Sequence, residues 1–333
     1  MNVLVLSATA SAINYARALA GRRDVRLFLS DASKFASGLY LPGVHPLLAP
    51  RARNLDQYRE FLDRAIADNQ IDVLIPTSDH DVEGTMELVH QGWNPPVKMF
   101  RPNYETYRIL THKADLNAAM HRHGLPAPRT YASVEEVEYP AVVKPAREGG
   151  SKGVWIVANR EELDDRLDVV RKSFPGDVLM QQFIPGETGS IYVALLLYGA
   201  DGKLYGEAAS HSHATFMTWG GGGMAGVVVQ EPELLKLAQR IVEAMGGWRG
   251  PINVEFKRHA ETGEWYLLEV NCRLNGYSYL TTMNGMNFPS AVVDLLTVGT
   301  TPFVRMEPER APTSFVLGYR ERPVEEWAGD ATR

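Results

Sequence analysis

Short apolar runs alternate with amphipathic stretches through the first hundred residues. Residues 3–6 form a continuous apolar run of the kind found in strands covered on both faces, and 7–20 follow with helical spacing. Residues 25–29 read as a second strand, 55–68 as a helix and 71–75 as a third strand. Repetition of strand, helix and strand predicts an α/β doubly wound domain, in which ligands bind beyond the carboxyl ends of the strands. The third strand runs into Pro76-Thr77-Ser78-Asp79-His80-Asp81. Asp79, His80 and Asp81 therefore stand either at the edge of a cleft or, for the two aspartates, as caps of a helix starting near Val82.

Residues 93–102 are rich in proline and turn formers and mark a boundary, after which the pattern changes. A helix over 111–123 ends at Gly124 and the prolines behind it. Strands are predicted at 140–143, 154–158, 178–184 and 191–198, with a helix at 161–173. Strands at 204–210 and 227–230 flank a glycine-rich stretch, 211–226, that reads as a mobile loop over an active site. A helix at 233–245, a hairpin of 251–256 with 266–271, and a helix at 290–296 complete an α+β region. The expected division is an N-terminal domain over 1–100, a smaller unit over 101–186, a larger one over 187–310 and a polar tail over 311–333.

With 333 residues the chain is too long for one compact core. Its 45% hydrophobic and 22% charged content is that of a soluble globular protein. A net charge of −6 argues against a basic nucleic-acid surface but leaves room for a local phosphate pocket. The single cysteine, Cys272, excludes an intrachain disulfide, fits a reducing cytoplasmic setting, and lacks the histidine and asparagine pattern of a nucleophile. The opening apolar run is too short for a secretory leader, and no stretch has the length of a membrane span. Small molecules, neither nucleic acid nor membrane, are the expected partners, with a homodimer as the commonest assembly.

Charge placement changes this picture most. Glu255 and Glu269 each interrupt an apolar strand, and Glu261-Thr262-Gly263-Glu264 supplies the turn between them. A core has no structural use for two adjacent carboxylates unless a cation compensates their desolvation. Asn271 adds a neutral oxygen and Arg273 a fixed positive fork, a set suited to Mg²⁺ held together with substrate phosphates. Lys144 ends a strand before a run of small residues whose backbone can approach a phosphate, with Lys152 as a second point charge. The alternative is an ordinary hairpin turn with solvated lysines; no Walker A spacing exists in the chain. Residues 178–187 join a strand to a turn whose backbone can pair with a purine edge, Glu187 being placed for ribose hydroxyls. His211 and His213 alternate as on one strand face, where they can meet a γ-phosphate or a substrate; zinc is disfavoured for want of further ligands. Gly221 to Gly226 satisfies G-x-G-x-x-G but precedes a strand, which argues against a dinucleotide fingerprint.

In sequence order, Lys113 on a helix, Lys144 on a strand, a glycine-rich loop, a strand-Pro-Gly hinge and Glu255…Glu269-x-Asn271-x-Arg273 resemble the ATP-grasp superfamily over about residues 1–300. The resemblance implies an α+β ATP-grasp fold of two subdomains clamping a nucleotide behind an N-terminal α/β domain. It implies Lys113 and Lys144 at the phosphates and adenine, and Ser151 and Lys152 in the phosphate-covering loop. Gln181, Gln182 and Ile184 would line the adenine hinge, with Glu187 at the ribose. Thr188 stands where many members carry that ribose-binding acid. Glu255, Glu269 and Asn271 would bind Mg²⁺, or Mn²⁺, and Arg273 would face the transferred phosphoryl group or a substrate carboxylate. The implied reaction is ADP-forming ligation of a carboxylate to an amine using ATP. A bicarbonate-type synthetase and a non-catalytic nucleotide-binding protein are the alternatives.

Overall fold

The computed structural model describes residues 1–146, 152–174, 176–186, 191–217, 220–276, 278–307 and 314–317. The N-terminal region runs β1 (Asn2–Leu6), α1 (Ala10–Leu19), β2 (Arg26–Asp31), β3 (Val44–Leu48), α2 (Leu55–Asp68), β4 (Val73–Pro76) and α3 (Asp79–His90). Its strands form a parallel sheet in the order β3-β2-β1-β4. Val3 and Val5 pack with Tyr15 and Leu19 of α1, whereas Leu4 and Leu6 pack with Tyr58 and Leu62 of α2 and Leu88 of α3. Cover on both faces is why β1 shows no polar alternation. Strand β3 was not evident from its pattern because Pro46 interrupts it; proline is tolerated there because β3 is the edge strand. Helix α3 begins at Asp79, three residues before the expected start, because Ser78 Oγ accepts from the Asp81 N–H at 3.1 Å.

The helix expected over 111–123 is α5 (Lys113–Arg122), and a further helix that the sequence did not predict, α4 (Tyr104–Thr111), precedes it. Asn103 caps α4 by accepting from the Thr106 N–H at 3.0 Å, and extended His112 separates it from α5. The small sheet follows, from β5 (Thr130–Tyr131), β6 (Ala141–Pro145), β7 (Trp155–Val157) and β8 (Val178–Gln182), with α6 (Arg160–Ser173) between the last two. Its strands are antiparallel in the order β5-β8-β6-β7. Ala141, Val143 and Val157 pack on Leu163, Leu167 and Val170 of α6, so alternation sends Val142 and Lys144 to the other face.

The large sheet comprises β9 (Ile191–Tyr198), β10 (Leu204–Met217), β11 (Gly220–Val229), β12 (Gly250–Arg258), β13 (Trp265–Asn271) and β14 (Ser314–Val316), in the order β13-β12-β9-β10-β11-β14. Helices α7 (Pro232–Ala244), α8 (Tyr279–Met283) and α9 (Phe288–Thr297) accompany it. One face buries Leu196, Ile252, Val254 and Phe256 against Leu234, Leu237 and Ile241 of α7. The other brings Leu195, Leu197, Ala208 and Val228 into one core with Phe288 and Val292 of α9 and with Val3 and Val5 of β1. The N-terminal sheet and the large sheet are thus joined through shared apolar packing. Among the described residues no helix is long and apolar enough to cross a membrane.

Residues 211–226 correct the sequence expectation. In place of a mobile loop, most of this stretch lies in paired strands, with Ser210 opposite Val228 and His211 opposite Val227. Glycine is rare in strands, which is why the composition reads as loop. Here it permits close approach: a Cβ on Gly226 would lie 2.6 Å from the His211 carbonyl oxygen.

Phe288 is fully buried where α9 meets the large sheet, and a Cβ on Gly206 would come within 3.0 Å of its ring. Phe288→Ala is expected to lower the unfolding free energy by about 3–5 kcal/mol, read from urea denaturation. A loss below about 1 kcal/mol would show that this shared core does not hold the two sheets together.

Candidate active site

Strands β12 and β13 pair with Glu255 opposite Glu269 and Asn253 opposite Asn271, so all four side chains share one face. That face is the one turned towards α9 and the N-terminal sheet. Register shifts between Glu255 and Phe256, where Phe256 faces Leu267 and one residue of β13 is left over. The pair is held by donors. Glu255 Oε1 accepts from Asn253 Nδ2 at 3.0 Å and from Asn271 Nδ2 at 3.1 Å. Glu269 Oε1 accepts from the same Asn271 amide at 3.3 Å, and its Oε2 lies 3.5 Å from Lys113 Nζ. Burial, and then the neighbouring Glu269 charge, hold the Glu255 carboxyl well above the usual range.

The Asn271 amide hydrogens stand between two carboxylates, where the positive end of a dipole substitutes for a cation. Two anionic oxygens and an amide whose carbonyl becomes available on rotation form an all-oxygen set that fits a divalent ion such as Mg²⁺. Asn253 is fully buried, and its Oδ1 has no partner among the described residues. Its hydrogen bond orients Glu255, and sequence reading missed it, although it lies two residues before Glu255 and hence on the same face.

Lys144 faces this pair from the small sheet, with 9% of its surface exposed. Burial and the neighbouring Lys113 push its amine down to about 8, and Glu269 works the other way. It makes no hydrogen bond or ion pair with a described residue. Lys113, Lys144, Glu255, Glu269 and Asn271 are therefore brought together.

Arg273 joins the cluster with its guanidinium engaged. Its Nε and Nη2 donate to the two oxygens of Asp79 at 2.8 and 2.7 Å, Nη1 donates to the Leu274 carbonyl at 3.2 Å, and Nη2 also donates to Asn271 Oδ1 at 3.4 Å. Burial works to raise the Asp79 carboxyl, but the charge and hydrogen bonds of Arg273 outweigh it and hold it below the usual range. Of the two readings for the acids of α3, Asp79 takes the cleft position. Asp81 is structural, accepting from the Tyr58 hydroxyl at 2.7 Å. A cavity of about 280 Å³ opens between α3, α4, α5 and β13, lined in part by Asp79, Lys113, Glu269 and Asn271.

Other expected residues lie elsewhere. His211 is opposite Tyr192, which is opposite Phe256, so it belongs to the face turned away from the carboxylates. It stacks on Tyr192 with centroids 3.9 Å apart, and the residue sharing the row of Glu255 and Val193 is Ser210. Gln182 is opposite Ala141 and shares the α6 face of the small sheet; its N–H donates to the Arg129 carbonyl at 2.8 Å. Gln181 is on the cleft face, but its Nε2 donates to Thr130 Oγ1 at 2.9 Å, and Ile184 is buried beyond the strand end. Lys152 is exposed. Ser151 and Glu187 lie outside the described residues.

The family described as the ATP-grasp domain matches residues 110–277. D-alanine--D-alanine ligase B of Xanthomonas campestris pv. campestris is 30% identical over 158 residues, covering 44% of this chain and 47% of that protein. D-aspartate ligase of Enterococcus faecium is 23% identical over 238 residues, covering 64% of this chain and 56% of that protein. The chain thus spans about half the length of these relatives. In fold it is similar to the crystal structure of L-amino acid ligase from Bacillus licheniformis, with a TM-score of 0.66, 18% identity, and coverage of 89% of this chain and 73% of that one.

An amine buried for use should destabilise the fold that holds it. Above pH 8 the native state releases the Lys144 proton while the unfolded chain keeps it until about 10.5, so stability rises with pH through that window. Lys144→Met is expected to stabilise the protein at pH 7 by up to about 3 kcal/mol, with the advantage shrinking between pH 8 and 10.5. Paired chemical denaturation series of both proteins read this difference. A pH-independent difference would refute the buried-amine explanation.

Proposed function

The chain belongs to the ATP-grasp family, and from that premise we propose that it is an ADP-forming ligase joining a carboxylate to an amine. The observation that carries the reading is the register of Glu255 against Glu269, with Lys113 and Lys144 beside them and Arg273 at the edge. When bound by Glu255, Glu269 and Asn271, Mg²⁺ supplies neutralisation of phosphate charge, and Mn²⁺ suits the same oxygen set. Lys113 and Lys144 hold the phosphates of ATP as point charges, Lys144 already desolvated and facing the site. A substrate carboxylate oxygen attacks the γ-phosphorus while its bond to the β–γ bridging oxygen breaks, leaving ADP and an acyl phosphate. The amine nitrogen then bonds to the acyl carbon, the carbon–oxygen bond to phosphate breaks, and the amine proton passes to solvent.

These steps ask the protein for positioning and charge rather than for an acid–base pair. Arg273 takes the role of meeting the carboxylate or the transferred group. To grip it with both prongs, the guanidinium must give up part of its contact with Asp79, so substrate and Asp79 compete for one fork. The cavity lined by Asp79, Lys113 and Glu269 supplies adjoining space for substrates.

The test is to incubate the protein with ATP, Mg²⁺ and panels of carboxylates, bicarbonate included, and of amines. ADP and phosphate are expected only when a matching pair is present, with the joined product identified by mass spectrometry. No release above background with any pair would end the ligase reading, and nucleotide binding without release would favour a non-catalytic role. Glu269→Gln should lower turnover by more than about 100-fold while far-ultraviolet circular dichroism stays unchanged. Retained turnover would move the metal site elsewhere.

A further inference from the structure

Arg273 already grips a carboxylate, and that carboxylate belongs to the chain itself. Nε and Nη2 meet the two oxygens of Asp79 at 2.8 and 2.7 Å, the paired geometry in which a guanidinium receives a free carboxylate. The two partners are not equally held. Arg273 has 18% of its side chain exposed and is fixed from behind, through Nη1 on the Leu274 carbonyl and Nη2 on Asn271 Oδ1. The Asp79 side chain is 53% exposed, and among the described residues its carboxylate accepts hydrogen bonds from Arg273 alone. When a substrate carboxylate takes the fork, the acid is therefore the partner that turns away.

Its tether limits how far it can go. Asp79 stands in the first turn of α3, directly after the Ser78 cap, so the displaced charge stays within a side chain's reach of Arg273. One guanidinium would then face two carboxylates, with Glu255 and Glu269 also close by. Burial works against a charge on Asp79 and Arg273 is the chief compensation, with His80 and Lys113 adding less. Lys113 is itself engaged with Glu269. Releasing Asp79 therefore calls for a second cation beside the substrate carboxylate. Ligation supplies one, because an amine arrives as an ammonium ion and has to reach the acyl carbon next to Arg273. Asp79 opens onto the cavity of about 280 Å³, to which α3 also contributes Glu83 and Glu87, while the cations Arg108 and Lys113 come from α4 and α5. We propose that Asp79 is the ammonium-binding residue for the amine substrate, covered by Arg273 until a carboxylate takes the fork. The two substrates then bind with positive linkage, each freeing the group that the other needs. This assignment rests on the ligase reading above and gives the N-terminal region a part in pairing the substrates.

Acetate and methylammonium test it as minimal probes, titrated by saturation-transfer NMR of the full chain with Mg-ADP kept present for the phosphate-directed lysines. In the wild type, methylammonium chloride is expected to tighten acetate binding roughly fivefold relative to sodium chloride of equal ionic strength. In Asp79→Asn no charge competes for the fork, so acetate alone should bind roughly fivefold more tightly than to the wild type, and methylammonium should add nothing. Asp79→Ala, neutral and favourable in a helix, should repeat both results and answers for any local disturbance by asparagine. No methylammonium effect in the wild type, one that survives both substitutions, or equal acetate affinity in all three proteins would overturn the assignment while leaving Arg273 as the carboxylate-binding group. Acetate binding that persists in Arg273→Gln, or none to the wild type and the Asp79 variants alike, would instead overturn the reading of Arg273.

Discussion

Repulsion between Glu255 and Glu269 is the constraint around which the site is built. Their cross-strand register leaves no way to separate the charges, so the surroundings supply hydrogen atoms: the Asn271 amide between them, the Asn253 amide on one and the Lys113 ammonium on the other. None of these is a full counter-ion for a desolvated pair. Lys144 adds a strain of its own: it is a desolvated cation close to Lys113, and the attraction of Glu269 offsets these only in part. The hairpin accepts this arrangement because apolar packing on its other face, Val254 and Phe256 against α7, fixes the strands independently of the charges. Structural stability and electrostatic readiness therefore reside on opposite sides of the same strands.

The N-terminal region participates in the site rather than merely preceding it. Asp79 crosses to Arg273, Ser11 Oγ donates to the Leu274 carbonyl at 3.3 Å, and Asn14 donates to the Gly276 carbonyl at 2.9 Å. These contacts join α3 and α1 to the segment that follows the carboxylate strand. Because β1 and α9 share one core with the large sheet, the contacts are anchored by apolar packing behind them. The carboxyl ends of β1 and β4 thus serve the cleft, as open parallel sheets commonly do.

Much of this was legible in the residues. Charges set inside apolar runs, such as Lys144, Glu255 and Glu269, are visible because they violate the pattern around them. Helix α2 falls on its expected residues because its apolar spacing is regular from Leu55 to Asp68. What escaped depends on register or on distance. His211 and Ser210 differ by one position, and only pairing with β9 reveals that the histidine faces away. Only pairing with β6 reveals that the Gln182 side chain turns to the α6 face. The Asp79–Arg273 pair joins residues 194 positions apart, a contact no local pattern encodes. The glycine-rich strands β10 and β11 contradict propensity because their pairing comes from neighbours on the sheet.

The extra residue in β13 has its own consequence. Leu267 sits in the α7-side core while Glu269, two residues later, faces the other way, a pairing of directions that uninterrupted alternation forbids. The irregularity acts as a reading-frame correction: it lets the outer part of the hairpin follow one parity and the reactive part the other. The tip at 259–264 thereby carries none of the reactive side chains, and its Ala260 N–H instead holds the Pro185 carbonyl at 3.0 Å. Loss of a single backbone unit near Leu268 would instead invert the strand and send its acid into the hydrocarbon interior.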